Sequence, residues 1–104
     1  MVYNYQILQL NEVPENHGYF FTPLDWFEKF NLKLSLNRYK VVYIGSIESN
    51  DNISIILEKL FTKFNINHPE DFKGHSLSVS DVVYINNEYY YCDDFGWKLV
   101  NFNS

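Results

Sequence analysis

The chain is short of the residues that usually announce a chemistry. Its one cysteine, Cys92, excludes an intramolecular disulfide. Its histidines, His17, His68 and His75, together with Cys92, show none of the C-x-x-C or H-x-x-x-H spacings of a zinc site, and Asp93-Asp94 lacks the remaining ligands of a calcium loop. No metal and no cofactor is therefore expected. No apolar run approaches the roughly 18 residues that a membrane-spanning helix needs, and the chain does not open on a cationic, apolar leader. The expectation is a domain of the reducing cytoplasm with no membrane partner. Bases are few: eight Lys and Arg face thirteen Asp and Glu. Without a basic patch there is nothing to release counterions from a polyanion, so direct nucleic-acid binding is disfavoured. Repeats, low-complexity tracts and linkers are also missing, and residues 1–104 read as a single domain.

What the chain does have is rings and a localised charge. Aromatics make up 19%, with nine Tyr and nine Phe, inside a 46% apolar total that excludes a disordered tail. So many Tyr cannot all be fully buried, which suits a Tyr-rich contact face. The formal charge of −5 comes entirely from Pro69 to Trp97, where Glu70, Asp71, Asp81, Glu88, Asp93 and Asp94 face Lys73 alone. A basic partner is favoured over an acidic one.

In chain order, Val2 to Leu10 alternates as a strand, and Asn11 to Gly18 is turn chemistry carrying His17. Tyr19 to Asn31 carries a helix start signal: Thr22 as N-cap, Pro23 in the first helical position and Asp25 as capping acid, with Phe21 placed to staple onto Trp26. Trp26, Phe27 and Phe30 make most of that helix apolar, so Trp26 is read as core. Tyr39 to Ile44 is a β-branched, aromatic strand expected at the centre of the sheet, closed by Gly45 and Ser46. After the cap-rich Ser49 to Asn52 comes the clearest element. Ile53, Ile56, Leu57, Leu60, Phe61 and Phe64 form one helical stripe, and Asn65 supplies a left-handed stop before Pro69. From Ser78 the pattern is a meander. Val79 to Ile85 turns at Asn86-Asn87 into Glu88 to Cys92, pairing Val83 with Tyr90 and Val82 with Tyr91, and Asp93 to Gly96 turns into a last strand, Trp97 to Phe102. The fold class is α+β: a mostly antiparallel sheet with two helices, in the order β-α-β-α-β-β-β.

Between the clear helix and the clear hairpin lies Gly74-His75-Ser76-Leu77-Ser78-Val79-Ser80-Asp81. With Leu57-Glu58, Phe64-Asn65, Pro69 and Asp71-Phe72 before it, and Val82-Val83, Tyr91-Cys92-Asp93 and Phe95-Gly96-Trp97 after it, this segment resembles the signature of the YodL-like domain family. The resemblance is close from Tyr39 to Phe102 and looser before. It implies a small accessory protein of phages, plasmids or conjugative elements of low-GC bacteria, and it implies no particular reaction.

The residues of the segment account for themselves structurally. Gly74, His75, Ser76, Ser78, Ser80 and Asp81 offer many local bonds from side chain to backbone, and Asp81 is placed to fix the loop by accepting N–H groups. The catalytic reading pairs His75 with Ser76 or Ser78 and Asp81, or with Cys92, as a small hydrolase. It lacks a nucleophile elbow and an oxyanion donor, and Cys92 sits within a strand where a buried thiol is the common state. The chain is thus expected to be a non-catalytic protein-binding module that inhibits a host or defence protein. In anti-CRISPR fashion, Glu88, Asp93 and Asp94 with Tyr89 and Tyr91 would occupy a basic site. The alternative is a structural or regulatory accessory domain. A monomer and a homodimer through a free sheet edge both fit.

Overall fold

A computed structural model describes residues 1–102. The sheet has five strands, all paired antiparallel: β1 (Val2–Leu10), β2 (Tyr39–Glu48), β3 (Val82–Ile85), β4 (Glu88–Cys92) and β5 (Trp97–Val100), in the spatial order β2-β1-β3-β4-β5. Among the described residues there is one α-helix, α1 (Ile53–Ile66). The fold is α+β with an antiparallel sheet as expected, but with one helix where two are predicted.

α1 forms where its stripe places it. Asn52 caps it by accepting from Ile55 N at 3.0 Å, and Ile56, Leu57, Leu60 and Phe64 are buried. They pack on Tyr5, Ile7, Val83 and Ile85, which face one side of the sheet. The stop differs from the expected one. Asn65 remains helical, and its amide spans Leu77, donating to Leu77 O at 3.2 Å and accepting from Leu77 N at 2.6 Å. The hairpin forms as read. Asn86 and Asn87 take φ of 55° and 64°, the conformation that Asn tolerates, and Val83 pairs with Tyr90 and Val82 with Tyr91.

The other side of the sheet is covered by an arm, Tyr19 to Arg38, without any α-helix. The first helix is replaced by a 3-10 turn at Leu24–Trp26. Two residues explain the correction. Phe21 and Asn31 hold positive φ, 60° and 56°, and so bracket the segment with conformations that no right-handed helix continues. Thr22 does not cap. Its hydroxyl donates back to Gly18 O at 2.9 Å. Of the ring cluster only Phe27 turns inward, where it joins Tyr19, Leu8, Val82 and Tyr91. Trp26 is 46% exposed, so the core reading of it is also corrected.

β2 is an edge strand and not a central one. Its continuous hydrophobicity misleads because Val41 and Ile44 are exposed. It does not end at Gly45 either, but runs on to Glu48. A Cβ on Gly45 would come within 2.8 Å of the Tyr5 hydroxyl, so glycine here lets a ring cross the strand.

Candidate functional site

The signature segment is a clamp, and its keystone is a residue outside it. Gln9 is 1% exposed between Leu8 and Leu10 of β1. Its Oε1 accepts from His75 N at 3.1 Å, while its Nε2 donates to His75 O at 2.9 Å and to Asp81 Oδ2 at 3.2 Å. A Cβ on Gly74 would overlap Gln9 Oε1, which is why the segment begins with glycine. Asp81 Oδ2 also accepts from Ser78 N at 2.9 Å, the role read for it. Ser80 is held at φ 93° by three partners. Its N–H donates to Cys92 O, its carbonyl accepts from the Tyr39 hydroxyl at 2.7 Å, and its Oγ accepts from Phe21 N. Gln9 grips the segment at His75 and Asp81 and Asn65 grips it at Leu77, while His75 and Ser76 stay exposed.

Burial sets the electrostatics of the clamp. Desolvation lifts the Asp81 carboxyl to about 7, against the lowering pull of the Ser78 N–H, His75 and Gln9. Burial also pushes the Cys92 thiol up to about 12 and drives the Tyr39 and Tyr91 phenols upward. A thiol so raised is protonated and a poor nucleophile. His75 does not point its ring at Asp81. Its Nδ1 donates to Ser76 O at 2.8 Å, and Gln9 stands between the two side chains. Ser76 is exposed, whereas Ser78 Oγ is buried without a partner. The hydrolase set is therefore not assembled, and among the described residues no three His, Cys, Asp or Glu side chains gather as metal ligands.

The five residues expected to bind a partner do not share one face. Tyr91 is fully buried, so it is corrected from contact residue to strut: its hydroxyl donates to Thr22 O at 2.6 Å and fastens the arm. Asp93 is a second strut, its Oδ1 accepting from Leu24 N at 3.1 Å. Tyr89 is half-buried against Tyr84 and Phe102. Glu88 is exposed at the Asn-Asn turn, and Asp94 is exposed beyond the opposite end of β4. A single acidic patch does not form.

What these struts hold in place is an aromatic groove. Phe21, Thr22, Pro23, Trp26, Phe30 and Asp94 line a concavity of about 790 Å³. Phe21, Trp26 and Phe30 are 63%, 46% and 55% exposed. Phe21 is a bulky residue at positive φ, a strain of order 1 kcal/mol, and it persists because its own N–H donates to Ser80 Oγ and the next carbonyl, Thr22 O, accepts from the Tyr91 hydroxyl. Sequence reading misses the groove because the same rings suit a buried helix. The positive φ at Phe21 has no sequence signal. Gln9 does have one: a polar residue on a strand between two apolar neighbours that are both core.

Comparison with other proteins agrees with the signature residues. Residues 4–102 match the YodL-like domain. An uncharacterized protein of Acanthamoeba polyphaga mimivirus is 36% identical over 77 residues, which cover 62% of this chain and 71% of the relative. No solved structure matches. The match extends through the first third of the chain, where the signature residues are sparse, and so includes β1 with Gln9 and the aromatic arm. This chain belongs to the YodL-like domain family.

Proposed function

We propose that this chain is a non-catalytic protein-binding module from a viral or mobile-element setting, and that it docks on a host or defence protein through the aromatic groove. The observation that carries the reading is the trio Phe21, Trp26 and Phe30, left exposed side by side on an arm that Tyr91, Asp93 and Ser80 fasten to the sheet. Rigid, clustered aromatics are the usual anchors of an interface, since they bury large area at little entropic cost. The Gln9 amide placed between His75 and Asp81, and the Cys92 thiol raised by burial, support a role without turnover. The mimivirus relative supports a viral setting. Blocking of the partner, in anti-CRISPR fashion or otherwise, is the consequence that we attach to docking. It requires the groove to cover a working surface of the partner.

The test compares tagged wild-type chain with a Trp26→Ser, Phe30→Ser variant as bait in a host-cell lysate. A partner retained by the wild type alone, and inhibited when reconstituted with it, supports the proposal. A partner retained equally by both overturns it. The alternative of an accessory domain in a larger assembly draws on the edge position of β2. Ile44 is 68% exposed there, and only Lys73 N, donating to Val42 O at 3.4 Å, partly covers the edge. Self-association that is lost in Ile44→Lys and indifferent to Trp26 would favour that alternative.

A further inference from the structure

Two cavities meet at Asp94. One is the aromatic groove. The other, about 270 Å³, opens between α1 and the β4–β5 turn, and its lining includes Glu58, Phe61, Cys92, Asp93, Asp94 and Trp97. This cleft has three carboxylates and no basic side chain in its wall. None of the three forms a salt bridge among the described residues. Its apolar wall includes Phe61 and Trp97, which meet edge to face at 6.4 Å. Asp93 Oδ1 accepts from Leu24 N and Asp94 N, Glu58 and Asp94 face no basic side chain in the wall, and after burial Asp81, Glu58 and Asp93 raise the Cys92 thiol beside them.

We infer that groove and cleft together receive one partner segment, in which an apolar or aromatic anchor is followed within a few residues by an arginine or lysine. The anchor lies against Trp26 and Phe30, and the cation passes Asp94 into the acidic cleft. This rests on the docking reading above and names the chemistry of what docks. A guanidinium stacks on aromatic rings while its N–H groups donate to carboxylates, and this cleft offers both. Lys29 Nζ already lies 5.4 Å from the centroid of the Trp26 ring, so the ring accepts a cation on its face. An acidic segment would meet Asp94 at the junction and be repelled.

The two tryptophans report on the two cavities separately, Trp26 in the groove and Trp97 in the cleft. The experiment follows both indole N–H signals of the ¹⁵N-labelled full chain. The probes are capped hexapeptides with phenylalanine or leucine one to three positions from an arginine, and the same series with glutamate in place of arginine. The arginine series should move both indoles. The glutamate series should move neither, and Asp94→Asn should weaken the arginine series by about tenfold, the loss of a charge-assisted contact. Equal responses to arginine and glutamate overturn the inference. A Trp26 signal that moves alone and regardless of charge leaves the groove as a docking site and removes the cation. If no peptide moves either indole, both readings fall.

Discussion

The segment Gly74–Asp81 and the arm Tyr19–Leu32 are both irregular, and both are fastened to the same sheet, but they spend their side chains in opposite ways. The first turns them inward. Gln9, Asn65, Ser80 and Asp81 bond backbone across the fold, and little of the segment is left to offer a partner. The second turns large rings outward and relies on others for its bonds, from Tyr91, Asp93 and Ser80. The exposed aromatic rings lie elsewhere, on the arm, and two of the residues expected to contact a partner, Tyr91 and Asp93, fasten that arm.

The contrast can be sharpened by four substitutions, whose effects on stability should fall in order. Asp81→Asn keeps an acceptor oxygen for Ser78 N and Gln9 Nε2 and removes the charge. In the wild type the folded carboxyl keeps its proton up to about pH 7, whereas the unfolded one releases it near 3.8. The folded state holds more protons between those values, so wild-type stability should fall as pH rises from about 4 to about 7 and then level off. At pH 8 the asparagine variant should be more stable by up to about 4 kcal/mol, and urea midpoints across pH should show its profile flattened in that window. A wild-type profile as flat as the variant's would sink this account of the clamp.

Gly74→Ala forces Gln9 Oε1 aside and breaks the pair of hydrogen bonds between Gln9 and the His75 backbone, a loss of about 3 kcal/mol in the same denaturation experiment. If alanine costs under about 1 kcal/mol, typical of an ordinary loop glycine, the clamp is not tight. Tyr91→Phe removes the donor to Thr22 O. It should cost about 1.5 kcal/mol and speed hydrogen exchange in the arm more than in α1. Uniform acceleration would mean that the arm does not open separately. Trp26→Ser should change stability by no more than about 0.5 kcal/mol while abolishing docking. A large drop in its urea midpoint would return Trp26 to the core.

Much of the fold is legible in the sequence wherever one local rule decides. The stripe Ile56, Leu57, Leu60 and Phe64 has one physical solution, and so does the Asn86-Asn87 turn between two β-rich runs. The first helix fails because its start signal, Thr22-Pro23 with Asp25, is cheap to satisfy in other ways. A 3-10 turn uses the same Pro, and Asp93 reaches over from the β4–β5 turn to take Leu24 N. β2 reads as central because Tyr39 to Ile44 is apolar apart from Lys40, yet apolar content does not say which side of a strand meets a neighbour. In the candidate site, Asp94 alone of the expected contact residues lines the groove. Phe21, Trp26 and Phe30 are visible as rings but not as a surface, because the same three residues at helical spacing would also make a core.

By itself the sequence determined the family, the antiparallel α+β class, the helical stripe from Ile53 to Phe64 though not where the helix stops, the hairpin register and the bracing role of Asp81. Each of these depends on residues near one another in the chain, or on a periodicity that only one element satisfies. Only the tertiary structure decided that Gln9 is the keystone, that β2 lies at an edge, that Tyr91 is a strut and that Trp26 faces outward. For Gln9 and Tyr91 the partners lie 66 to 72 residues away, as in Gln9 to His75 and Asp81 and Tyr91 to Thr22, and the chain offers no local energy term from which to read them.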